Sequence, residues 1–203
     1  LDLDRFSVLG VSGGWPYALA CAWRIPERVR GCALVCPLGP IYIDDLLGRM
    51  NLAVRLNLSM GRRPIWLANL IYGGPTPAVL RRWPGLVERV RSIAAPPRDR
   101  EVLAERNNAA VLNRTIADAM RQRAAGARRD LFLYAHDWGI PFGEIGHQVR
   151  IWHGRDDGTV PIEHARWYAA HLAHARLTEM PGHGHYSVPL RHGTEILAAL
   201  LTD

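Results

Sequence analysis

A chain of 203 residues, 48% hydrophobic and 22% charged, has the composition of one globular domain and not of a disordered tail. No run of about 18 apolar residues occurs, so no membrane-crossing helix is expected. The net charge of +6 raises the question of nucleic acid, but all 25 basic residues are arginine and no positive run is interleaved with stacking aromatics.

The first element is Phe6, Val8, Leu9 and Val11 within "DRFSVLGVS", a short apolar run cut off by glycine that predicts a buried parallel strand. Pro16 then falls in a first helical turn, where its missing N–H costs nothing, and "YALACAW" continues with good helix formers. "VRGCALVCP", Val29 to Pro37, predicts a second strand. From residue 40 to 130 the pattern changes: 16 arginines stand against 8 acids, whereas the rest of the chain holds 9 against 11. Helical periodicity runs through Leu86, Val90 and Ile93, then through Leu112, Ile116 and Met120. Pro64, Pro75, Pro77, Pro84, Pro96 and Pro97 punctuate it, which predicts several short helices. The arginine excess reads first as solvated helix faces and more weakly as an attraction for anionic substrates.

Two more strands are predicted in "VRIWHG" and "ARLTEMPG", with helices in "IEHARWYAAHLA" and "TEILAALL". Strand and helix alternate around a helical insertion, so the expected class is α/β, a mostly parallel sheet with helices on both faces. Cys21, Cys32 and Cys36 fall in apolar segments and not at metal-ligand spacings, and read as small buried side chains in a reducing compartment. His164, His171 and His174 share one predicted helix region without a His-Glu-x-x-His pattern, and are expected at the surface; no metal is expected.

In Gly10-Val11-Ser12-Gly13-Gly14 a serine occupies the tight turn between the first strand and its helix. Such a turn strains the serine backbone and pushes the hydroxyl into the open, and glycines two positions to either side are expected to let strand and helix approach. The Gly13 amide and the positive helix end face the place where an oxyanion would form. A serine hydroxyl becomes a nucleophile when a histidine takes its proton and a carboxylate fixes that histidine. "HGRDDGTVP" follows the third strand with Asp156 and Asp157, and "PGHGHYS" follows the fourth with His183 and His185. All of these stand at carboxyl ends of strands, in the order serine, acid, histidine.

On these residues the chain resembles the Ser-His-Asp branch of the α/β-hydrolase superfamily. "LDRFSVLGVSGGWPYALA" resembles its nucleophile elbow, "WHGRDDGTVP" its His-Gly-x-x-Asp-x-x-Val-Pro acid loop, and "MPGHGHYS" its Gly-His loop. The resemblance implies Ser12, Asp157 and His185 as catalytic residues, because Asp157 holds the acid position relative to Gly154 and Val160 and His185 directly follows the second glycine of its loop. Gly13 is implied as an oxyanion-hole donor. It also implies a core of residues 1–39 and 131–203 with a helical cap at 40–130. Trp15 stands where many relatives place a small residue, so it is a candidate for the substrate pocket, with core packing as the alternative.

Family members carry several strands ahead of the elbow strand, including a loop that supplies a second oxyanion amide. The resemblance therefore implies a partial α/β-hydrolase fold whose natural chain continues upstream by about 80 to 100 residues. The elbow strand would then expose a hydrophobic edge, through which residues 1 to 203 alone are expected to aggregate or pair. The activity implied is hydrolysis of an ester or related acyl bond of a small molecule through an acyl-serine, without a cofactor, nucleic acid or membrane. A carbon-carbon bond hydrolase or cofactor-free perhydrolase on the same triad is the alternative enzyme. A truncated, non-catalytic protein is the alternative outside enzymes. Cytoplasmic location is the default expectation.

Overall fold

The computed structural model describes residues 3–74, 82–83, 95–119 and 121–201. The positions Leu86, Val90, Ile93 and Met120, with Pro75, Pro77 and Pro84, lie outside the described residues. The chain forms two compact units, one of residues Leu1–Gly39 with Trp138–Asp203 and one of Pro40–Asp137.

The first unit is built on four parallel strands in the order β1 (Phe6–Val11), β2 (Val29–Val35), β3 (Val149–Gly154) and β4 (Ala175–Met180). All four are the apolar runs that the sequence predicts. β2 is buried at every position but Arg30, as an inner strand covered on both faces must be. Its two faces meet different helices. α1 (Trp15–Arg24) covers one, where Cys32 Sγ lies 3.9 Å from the Ala18 carbonyl. α9 (Ser187–Leu201) covers the other, where Ala33, Val35 and Trp152 pack with Val188, Ile196 and Leu200. α8 (Ile162–His171) joins β3 to β4 and shares the α1 face, since its Tyr168 ring lies 5.3 Å from Trp15.

Parallel pairing puts the carboxyl ends of all four strands on one edge of the sheet, so the turns after β1, β3 and β4 emerge together. β1 is the outermost strand on its side, and there Leu9 and Val11 are 38% and 40% exposed.

The second unit holds six helices among the described residues: α2 (Asp44–Arg49), α3 (Leu52–Ser59), α4 (Ile65–Tyr72), α5 (Pro97–Ala104), α6 (Arg106–Ala119) and α7 (Arg121–Tyr134). Several helices are what the insertion predicts; α4 and α5 start at prolines, while α6 and α7 run 14 residues each without one. α7 carries the helical unit past residue 130, to a boundary at Asp137. Asn51 caps α3 by accepting from the Val54 N–H at 2.9 Å. Arg62 ties the unit together by bonding Asp44 and the Ile41 carbonyl. Among the described residues no helix is long and apolar enough to cross a membrane.

Candidate active site

β1 ends at Val11, and the next residue, Ser12, has φ of 53°. A non-glycine residue rarely adopts this left-handed region, at a cost of about 1–3 kcal/mol, and persists there only where its surroundings hold it. Here they do: the Ser12 carbonyl accepts the Leu38 N–H at 3.0 Å, and one helical turn, Ser12–Gly14, leads straight into α1 with Pro16 in its first turn. The strand and helix close most tightly on Gly10. A Cβ there would lie 2.8 Å from the Gly14 carbonyl and 3.1 Å from the Ala18 Cβ.

Gly14 differs from the expectation that both flanking glycines relieve a clash. A Cβ at Gly14 would meet nothing within 4 Å, and its φ of −76° is ordinary helical backbone. The close approach is made by the Gly14 carbonyl onto Gly10, so only one of the two glycines is sterically required.

After β3 the chain turns through Asp157, whose carboxylate is fixed from both sides. Oδ1 accepts from the backbone N–H groups of Thr159 and Val160, each at 2.8 Å, and Oδ2 accepts from His185 Nδ1 at 2.7 Å. With its proton on Nδ1, His185 presents a bare Nε2, and the Ser12 hydroxyl lies 3.1 Å from it. The loop carrying His185 is itself anchored, because Ser187 Oγ accepts the Gly184 N–H at 2.9 Å. It also packs directly on the end of β3: any Cβ on Gly154 would collide with the His183 carbonyl.

The structure thus brings Ser12, His185 and Asp157 into one hydrogen-bonded line, and it sorts the two doublets. Asp156 is exposed, and the His183 ring faces His192, with Nε2 atoms 3.3 Å apart. Gly13 sits in the turn between Ser12 and α1, at the positive end of that helix. Trp15 is 1% exposed, with its ring 5.3 Å from Tyr168 and 6.1 Å from Phe142, so its indole belongs to an aromatic core cluster. Its Nε1 is buried without a partner among the described residues.

Burial by itself would push the Asp157 carboxyl up. The His185 ring and its hydrogen bond, aided by the Val160 N–H, outweigh that and hold it below its usual value. The carboxylate therefore stays charged next to His185. Burial also pushes the Cys32 thiol up to about 12, which leaves it an inert core side chain. Cys36 Sγ, an Asp157 oxygen and a His185 nitrogen lie within 4.8 Å of one another, close enough to hold a metal ion. Both His185 nitrogens are already engaged with Asp157 and Ser12, so an ion there would have to break the line.

Three features of the site lie outside the sequence reading. His164 was expected at the surface but is 0% exposed, and its Nδ1 accepts the Gly39 N–H at 2.8 Å, which ties α8 to the segment after β2. The apolar face of α8 buries this ring because a backbone donor from another segment satisfies it. Cys36 has φ of 44° directly after β2, a second left-handed non-glycine residue at the same sheet edge. His153, at the end of β3, is wholly buried against Asp157; its signal was a lone ionisable residue in an apolar strand end.

No protein-family model and no curated protein matches the sequence. Solved structures do. An α/β-hydrolase fold protein from Nakamurella multipartita is 19% identical with a TM-score of 0.58, covering 97% of this chain and 70% of its own. An α/β hydrolase, MGS-M2, from a deep-sea metagenome of the Medee basin is 15% identical with a TM-score of 0.57, covering 99% of this chain. The 2-hydroxy-6-oxo-6-phenylhexa-2,4-dienoate hydrolase of Rhodococcus sp. strain RHA1 is 17% identical with a TM-score of 0.53, covering 99% of this chain. The chain spans 65% of the length of each of the last two. A four-stranded parallel sheet clothed by helices on both faces, matched over nearly all of this chain by these structures, gives the protein a partial α/β-hydrolase fold.

Proposed function

We propose that the protein is a serine hydrolase that cleaves an ester or related acyl bond of a small molecule. The observation that carries this reading is the line from Asp157 through His185 to Ser12, ending on a hydroxyl held in a left-handed backbone turn. Ser12 Oγ attacks the acyl carbon while its proton passes to His185 Nε2, and Asp157 stabilises the imidazolium so formed. The oxyanion of the tetrahedral intermediate faces the Gly13 amide and the positive end of α1. Collapse breaks the bond to the leaving group, which takes the proton from His185. An acyl-serine remains. Water then attacks it, giving its proton to His185, and the acid is released as Ser12 recovers its hydrogen. No step requires a cofactor. In this reading the helical unit of Pro40–Asp137 is a cap that chooses the substrate, and the protein works in the cytoplasm.

A second reading, a carbon-carbon bond hydrolase on the same three residues, is favoured by the Rhodococcus hydrolase and by a meta-cleavage product hydrolase of Pseudomonas fluorescens, 15% identical with a TM-score of 0.55, among the similar structures. Turnover of short p-nitrophenyl esters beside a vinylogous 1,5-diketone substrate separates the two. Under the leading reading esters turn over, and Ser12→Ala lowers that rate by about 10⁴ to 10⁶ while the fold survives. Residual activity within tenfold of the parent removes Ser12 as nucleophile.

A further inference from the structure

Behind the candidate triad lies a second histidine that the reaction above does not use. His153 closes β3, its side chain is 0% exposed, and so is that of Asp157 beside it. Among the described residues its Nε2 meets two acceptors and no donor: it bonds the Val160 carbonyl at 2.8 Å and lies 3.4 Å from Asp157 Oδ2. Nε2 must therefore carry the proton. Its Nδ1 is buried without a partner among the described residues, which suits a bare lone pair and would leave a protonated ring with an orphaned donor. The groups acting on this ring are Asp157, His185, Glu163 and the Val160 carbonyl, and burial outweighs the acids and keeps it neutral.

We infer that His153 is a positioning residue for the Asp157–His185 pair, acting as an Nε2–H donor to the acid loop at Val160. It joins the end of β3 to the far side of the acid loop at Val160 and lies against the same Oδ2 that receives His185. Because Val160 also donates its N–H to Oδ1, the His153 bond to the Val160 carbonyl braces the residue that holds the carboxylate. Neutrality matters here. A charged His153 would compete with His185 for the single negative charge of Asp157, whereas a neutral ring holds the Val160 end of the acid loop and leaves that charge to the imidazolium. No step involves His153 touching the substrate.

This inference rests on the serine-hydrolase reading for its consequence in rate, but its geometry can be read without turnover. The full chain is compared with His153→Leu, which has no donor, His153→Gln, whose amide reaches the Nε2 position, and His153→Asn, whose amide stops near Nδ1. Two quantities are measured: the downfield ¹H NMR resonance of His185 Nδ1–H, and the rate of labelling by a fluorophosphonate. The expected result is a resonance that is sharp in the parent and in His153→Gln but broadened or lost in His153→Asn and His153→Leu. Labelling should fall by about 10- to 100-fold in the latter two, the range seen when a group that orients a functional ligand is removed, and return to near parental in His153→Gln. If His153→Leu does not fold, the contrast between glutamine and asparagine carries the test alone. An unchanged resonance with labelling within twofold across all variants overturns the inference. A resonance that follows the donor in a protein that never labels supports the positioning role and overturns the acyl-serine reading instead.

Discussion

At the scale of single residues, the site depends on a few atoms, and neighbouring residues of the same type do not share their roles. Asp157 has both oxygens committed and His185 both nitrogens, whereas Asp156 points to solvent and His183 to His192. Asp157→Asn and His185→Ala are therefore expected to cost at least about 10³-fold in ester turnover. Asp156→Asn and His183→Ala should stay within about tenfold, and steady-state kinetics on the four variants checks it. The two glycines beside Ser12 divide in the same way. Gly10→Ala forces a Cβ to 2.8 Å from the Gly14 carbonyl and should destabilise by about 1–3 kcal/mol. Gly14→Ala enters open space on helical backbone and should be neutral or stabilising by up to about 1 kcal/mol. Thermal melts of both variants read the difference.

At the scale of elements, much was legible in the sequence because each signal was local. "FSVLGV", "VRGCALV", "VRIWHG" and "ARLTEM" are apolar runs bounded by glycine, proline or turn residues, and each is a strand. The serine turn, acid loop and histidine loop could be placed at one edge because parallel strands leave no other arrangement. What was not legible depends on partners far along the chain. The buried state of His164 comes from an N–H of Gly39, and the fixed tautomer of His153 from a loop that folds back over it. Trp15 reads from the sequence as pocket or as core, and the packing of Phe142 and Tyr168 around its ring depends on residues far along the chain.

One interaction between elements should show in the pH dependence of stability. Glu179 on β4 accepts from Arg166 on α8 at 2.8 Å and 3.0 Å and from Arg155, in the acid loop, at 2.8 Å. The hydrogen bond from Arg166, aided by that from Arg155, holds its carboxyl at about 2, below the usual 4.5. A carboxyl depressed by folding contributes stability that is fully present above pH 4.5 and is lost as pH falls towards 2. The arginines are solvated, so screening by water keeps the contribution of each pair small. Glu179→Gln is expected to lower the melting temperature slightly at pH 7 and to flatten its fall between pH 4.5 and 2. An unchanged acid limb in the melting curves would remove Glu179 from that role.

At the scale of the whole molecule, the sheet unit carries the candidate chemistry, and the helical unit is the part whose sequence says least about what it meets. The three groups of the line come from residues 12, 157 and 185, so the site exists only when the first and last thirds of the chain have folded onto one sheet. On the proposed reading, this assembly makes Ser12 a nucleophile. Peptide mass mapping after exposure of the full chain to a fluorophosphonate tests it most directly, since phosphonylation needs the activated hydroxyl but neither a known substrate nor a completed turnover. A single adduct is expected on the peptide containing Ser12, abolished in Ser12→Ala and strongly slowed in His185→Ala. A folded parent chain that takes no label, or a label on another residue that survives Ser12→Ala, would contradict it.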